Sequence, residues 1–136
     1  TDPESHNLMC RLRAEKVAKI PVPDVEVQGC ADDADLLIVG FGGTYGHLYS
    51  AMEEMNKAGK KVALAHFTYL NPLPKNTETV LKKYKKVVVA EQNLGQFAGY
   101  LRMKIDNFTP YQFNEVKGQP FVVAELVAAF NKIIDN

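Results

Sequence analysis

Net charge is the first thing this chain lacks: sixteen basic residues balance sixteen acidic ones. Nucleic-acid binding, which relies on a basic footprint, therefore finds no electrostatic basis. Cysteine is scarce too. Cys10 and Cys30 stand apart with no histidine pair beside them, which excludes a CxxC-type zinc or iron–sulfur site and argues against a disulfide scaffold. Free thiols in a reducing cytoplasm are the expectation. No apolar run approaches the ~20 residues that a bilayer-spanning helix needs, and the polar, mixed-charge opening does not read as a signal peptide. The chain starts Thr1-Asp2-Pro3 without methionine, as a mature or excised fragment would. Its 136 residues suit one domain of the usual roughly 100–200.

What is present alternates between two periods. Residues 3–20 read as a helix, with Asp2 as N-cap, Pro3 at the first helical position and a broken apolar stripe that suits a linking segment. From Val25 the period becomes that of a short, half-exposed strand ending at Gly29. Leu36-Leu37-Ile38-Val39 and Val87-Val88-Val89-Ala90 are continuous apolar runs, the pattern of strands buried on both faces. A third strand runs from Lys61 to Phe67, and a short one lies at Tyr111–Phe113. Helices are expected from Tyr45 to Ala58, with Gly59 past its end, from a Thr77 cap to Tyr84, from about Gly95 to Ile105 with Leu94 in its apolar stripe, and from Phe121 to Ile134. The last is apolar nearly all round and is expected to meet the sheet and a second surface. Strands alternating with helices give a three-layer α/β fold with a mostly parallel sheet; residues 21–136 form this domain and 1–20 the linker.

The most site-like stretch is Gly40-Phe41-Gly42-Gly43-Thr44-Tyr45-Gly46-His47, a glycine loop between a buried strand and a helix. Such a loop lets a backbone approach a phosphate, or simply turns the chain. A dinucleotide site would also need a carboxylate at the end of the next strand, where the sequence reads Ala65-His66-Phe67. No Gly-Lys-Ser/Thr follows for a P-loop, and no GxSxG elbow supplies a nucleophile. His6, His47 and His66 have no partner at metal-ligand spacing. Glu91 ends a strand; with no second carboxylate near, capping the next helix is favoured over acid–base work. Lys82, Lys83, Lys85 and Lys86 read as a solvated helix end. In a parallel sheet the loops Gly42–His47 and Glu91–Gln96 emerge on one side, each expected to present free N–H groups. Tyr45, His47, Gln92, Asn93 and Gln96 add polar groups there, for helix capping or for contact with a partner or ligand.

Five stretches in one order resemble a known family. They are Leu12-Arg13-Ala14-Glu15-Lys16-Val17, Gly42-Gly43-Thr44-Tyr45-Gly46, the segment His66 to Pro74 (HFTYLNPLP), Glu91-Gln92-Asn93-Leu94-Gly95-Gln96 and Val116-Lys117-Gly118-Gln119-Pro120-Phe121. Together they are similar to the C-terminal part of the alpha subunit of 2-oxoacid:ferredoxin oxidoreductases, most closely the 2-oxoglutarate type. The family commonly has tryptophan and serine where this chain has Phe41 and Gly43.

The resemblance implies a transketolase C-terminal-like domain, with a five-stranded, mostly parallel sheet and an antiparallel first strand. It implies an enzyme that converts 2-oxoglutarate and coenzyme A to succinyl-CoA and carbon dioxide and passes electrons to ferredoxin. Thiamine diphosphate, Mg and an iron–sulfur cluster would carry that chemistry. They would be held by the remainder of the alpha subunit and by the beta subunit, leaving the fragment alone inactive. Assembly, or an entrance for substrate, is the implied role of this part. A pyruvate or branched-chain 2-oxoacid enzyme, a stand-alone nucleotide-binding domain and a pure scaffold remain as alternatives.

Overall fold

The computed structural model describes residues 21–115 and 118–136. The helix expected over 3–20, with His6 and Cys10, lies outside them, as do Val116 and Lys117. The elements are β1 (Val27–Gly29), β2 (Leu36–Phe41), a 3-10 turn (Gly42–Thr44), α1 (Tyr45–Lys57), β3 (Val62–Phe67), α2 (Thr77–Lys83), β4 (Val87–Glu91), α3 (Gln96–Lys104), β5 (Tyr111–Asn114) and α4 (Val123–Asp135). They form a three-layer α/β/α fold around one five-stranded sheet of order β1-β3-β2-β4-β5. The sheet is parallel throughout except for β1, which runs antiparallel to β3.

Strand alternation sorts the core into two halves. Leu36, Ile38, Val62, Leu64, Val88 and Ala90 face α1 and α4. Leu37, Val39, Ala63, Ala65, Val87 and Val89 face α2 and α3. The topology produces this division. From β2 the chain crosses through α1 to β3 on one side, then through α2 past β2 to β4 on the other. Crossovers of constant hand that reverse direction must lie on opposite faces.

Side chains finish what the ladders leave open. The Asn56 amide accepts from Val62 N (2.8 Å) and donates to Val62 O (3.1 Å), standing in for a strand at the start of β3. Asn76 does the same for Val25, at 2.9 Å in both directions. Asn76 is also the residue that precedes α2, so the expected Thr77 cap is corrected: Thr77 is the first helical residue, and its hydroxyl donates to Pro74 O (2.6 Å). The lysine cluster needs a second correction. Lys82 pairs with Glu78, but the Lys86 ammonium donates to Ile133 O, Ile134 O and Asn136 O at 2.8–3.0 Å. It thus satisfies carbonyls left open at the α4 C-terminus, where a cation is also favoured by the helix dipole.

Helix α4 is less enclosed than its composition suggests. Leu126 and Phe130 are buried, each contributing roughly 2–3 kcal/mol by removal from water. Val123, Val127, Ala129, Ile133 and Ile134 are partly covered, whereas Val122, inside the helix expected from Phe121, is 46% exposed just before the observed helix start at Val123. Among the described residues no helix is long and apolar enough to cross a membrane.

Replacing Asn56 with alanine should strip the partner from the buried Val62 N–H and lower stability by about 1–3 kcal/mol. Urea denaturation measures this, and a loss within experimental error would show that solvent replaces the amide.

Candidate functional site

Strand β2 is where the strand order reverses, so the carboxyl ends of β2 and β4 border the crevice in which open α/β sheets bind ligands. Two loops from this edge were singled out in the sequence, and the parallel pairing of β2 with β4 places both on one side.

The first loop turns tightly. Phe41 ends β2 and packs its ring 4.7 Å from Phe97, on the α3 side. Gly42, Gly43 and Thr44 form the 3-10 turn, in which the buried Thr44 hydroxyl donates to Phe41 O (3.0 Å). No side chain caps α1, which begins at Tyr45. The Tyr45 ring stacks on Tyr49 at 5.7 Å and meets His66 edge-on at 5.1 Å. Its hydroxyl donates to Gln28 in β1 (3.0 Å). His66 Nε2 lies 3.0 Å from Gly42 O. His47 is exposed and points its ring toward Phe121, 6.5 Å away; Gly46 opens onto free space.

The second loop is closed on itself. Glu91 continues the alternation of Val87 and Val89 toward α3 and is fully buried. Its two carboxylate oxygens accept from Phe97 N (2.8 Å) and Ala98 N (2.9 Å). Asn93 Oδ1 accepts from Gly95 N (2.9 Å) and Gln96 N (3.0 Å). The start of α3 therefore has its donors taken by its own preceding residues, which corrects the expectation of free N–H groups there. Charge at the positive end of the helix and two charge-assisted bonds compensate the burial of Glu91. Gln92 donates to Gln119 O (2.7 Å), tying the loop to the segment before α4. Gly95 takes a left-handed φ of 89°, and a Cβ there would run into Gln112. The chain changes direction at Gly95, so Leu94 is 95% exposed and outside the α3 stripe that the sequence assigned to it. Gln96 is exposed.

The edge thus divides into a sealed half, Glu91 with Asn93, and an open half, the turn at 42–44 with Tyr45 and His66. Sequence reasoning treated Tyr45 and His66 separately and passed over Gln28. Their association follows from strand register, in which Gly40 pairs with His66 across β2 and β3. Among the described residues no group of three or more His, Cys, Asp or Glu side chains could hold a metal ion.

A family model described as pyruvate:ferredoxin oxidoreductase core domain II matches residues 34–124. The chain is 44% identical over 127 residues to 2-oxoglutarate oxidoreductase subunit KorA of Mycobacterium tuberculosis, covering 92% of this chain and 19% of that protein. It spans about a fifth of the length of such curated relatives. Among solved structures, a 2-oxoglutarate:ferredoxin oxidoreductase from Magnetococcus marinus, with 2-oxoglutarate, coenzyme A and succinyl-CoA bound, superposes with a TM-score of 0.80 at 28% identity, over 98% of this chain and 24% of that one. A split-gene transketolase in an inactive beta4 tetramer gives a TM-score of 0.61 at 16% identity, over 85% of this chain and 43% of that one. It shares the fold alone.

Changing Glu91 to glutamine replaces one acceptor oxygen with an amide that cannot accept from Ala98 or Phe97. The expected cost is about 1–3 kcal/mol, with faster hydrogen exchange at those two amides than in the rest of α3. Unchanged protection at Phe97 and Ala98 would mean that the carboxylate does not hold the helix.

Proposed function

Because the chain belongs to the pyruvate:ferredoxin oxidoreductase core domain II family, we propose that it is the C-terminal α/β domain of the alpha subunit of a 2-oxoglutarate:ferredoxin oxidoreductase. The observation that carries the substrate assignment is the 44% identity to the KorA subunit across 92% of the chain. The Magnetococcus marinus enzyme, matched along nearly the whole chain, supports the same reading. The reaction would cleave carbon dioxide from 2-oxoglutarate, join the succinyl group to the coenzyme A sulfur and deliver the electron pair to ferredoxin. The working enzyme would be a cytoplasmic heteromer with a beta subunit.

An iron–sulfur cluster and a Mg ion held by a carboxylate or histidine cluster do not fit the described residues. Among these, Cys30 is the one cysteine, and no acidic or histidine cluster could hold a cation. Those groups and thiamine diphosphate would belong to the rest of the alpha subunit and to the beta subunit. The share of this domain would be to shape and dock. Glu91 and Asn93 hold the 91–96 loop rigid from within, leaving Leu94, 95% exposed, and Gln96 to face a partner or the coenzyme A entrance. The open half, the turn at 42–44 with Tyr45 and His66, lies beside them, and His47 is exposed on the first turn of α1.

The assembled enzyme should turn over 2-oxoglutarate with a higher kcat/KM than pyruvate or a branched-chain 2-oxoacid, in coenzyme A-dependent reduction of ferredoxin, while the 136-residue chain alone gives none. A preference for pyruvate would move the assignment to that member of the family, and turnover by the chain alone would place catalytic groups within it. In the same enzyme, Leu94→Asp should weaken assembly or raise the apparent KM for coenzyme A while leaving the fold intact. If neither changes, the loop is only a helix start.

A further inference from the structure

We propose that His66 is a pH-sensitive latch on the glycine turn: the neutral imidazole holds the Gly42 carbonyl through Nε2–H, and protonation of the ring releases residues 42–44 from the end of β3. This goes beyond the activity proposed above and stands whether or not that activity holds.

A carbonyl oxygen only accepts, so the 3.0 Å contact with Gly42 O assigns the proton of the neutral ring to Nε2. Nδ1 is then the bare nitrogen, and it is buried without a hydrogen-bond partner among the described residues. Its surroundings explain why. His66 stands opposite Gly40 in the β2–β3 register. The space that a Cβ on Gly40 would need is taken by the Leu48 side chain, with Thr44 Oγ1 3.2 Å and His66 Nδ1 3.6 Å from that point. The Thr44 hydroxyl gives its proton to Phe41 O and so does not serve Nδ1. A second proton on the ring must go to Nδ1, creating a charged donor in a close-packed place, a costly arrangement. The charged ring regains water by turning outward, and that turn breaks the Nε2 bond to Gly42.

Among the described residues no charged neighbour offsets the cost. Tyr45 of α1 presents a ring edge, its hydroxyl committed to the uncharged Gln28 of β1. Tyr49, one turn on, gives its hydroxyl to Glu53, while β2 contributes Gly40 and the 3-10 turn contributes Gly42. Burial lowers the His66 pKa below its ordinary 6.5, with the Gly42 carbonyl acting the other way as the smaller cause. The sign follows. The open turn, with a solvated ring, binds a proton more readily than the closed one, so opening takes up a proton and acid favours it. The closed state is fully favoured above the ordinary imidazole value and loses ground as the pH falls toward the lowered one. Between the two values the open fraction rises by up to about tenfold per pH unit.

Hydrogen exchange read by mass spectrometry on the enzyme carrying the full subunit tests this from about pH 7.5 to about pH 5, the range of imidazole titration. After correction for intrinsic exchange rates, the 40–48 segment should lose protection on acidification, by up to about tenfold per pH unit, while residues 87–91 of β4 keep theirs. His66→Gln, which can still donate to Gly42 O but does not titrate, should make the 40–48 response flat. His66→Phe should leave the segment poorly protected at every pH. Exchange at the imidazole C2–H of His66 in the wild-type enzyme gives its own titration, and the midpoint should match that of the 40–48 opening. A wild-type segment indifferent to pH, a His66→Gln variant with the wild-type slope, or a His66 midpoint apart from the opening each overturns the latch. The wild-type measurements decide even if a variant fails to fold.

Discussion

A strand buried on both faces can carry no unsatisfied polar side chain along its length, and β2 and β4 are such strands. Leu36 to Val39 and Val87 to Ala90 are buried in succession, alternating between the α1/α4 core and the α2/α3 core. Everything with chemical character is thereby pushed to the strand ends. At the carboxyl ends stand Glu91, the 42–44 turn and His66; at the opposite ends stand Asn56 and Lys86, which close the start of β3 and the end of α4. The fold separates a dry centre from two polar rims, and the rim at the strand-order reversal is the one with loops of unusual composition.

Within that rim, the two helix starts are treated differently. The start of α3 is saturated by Glu91 and Asn93, a stabilising device built from the chain itself. The start of α1 has no such device, and the turn ahead of it is held instead by a bond from His66 on the next strand. Saturation makes the 91–96 loop a rigid support for an exposed apolar tip. The 42–44 turn is tied by the Thr44 hydroxyl on Phe41 O and by His66 on Gly42 O, and the second of these bonds depends on the state of one imidazole. Rigidity for docking and conditional closure beside it are properties that such a domain could contribute to a larger enzyme.

The layers, the parallel sheet and most elements were legible because burial on both faces writes continuous apolar runs and the helices between them keep a 3.6-residue stripe. Glu91 was readable as a cap because a lone carboxylate between a strand and a helix has few other uses. Leu94 was misread because its spacing from Phe97 and Leu101 continues the α3 stripe, while the left-handed Gly95 interrupts the helix and turns Leu94 to solvent. Lys86 was misread because its partners, the last carbonyls of α4, are 47–50 residues away. The His66–Gly42 contact was invisible for the same reason: it depends on the register between β2 and β3, which no local pattern encodes.

The Asn76 amide has a consequence for solubility. Edge strands recruit foreign strands through a residue whose N–H and C=O both point outward, and such recruitment is the first step of ordered aggregation. Val25, just ahead of the antiparallel edge strand β1, has both groups engaged by one side chain. An incoming strand that paired at Val25 would have to displace that amide, bond for bond, before it could use this residue.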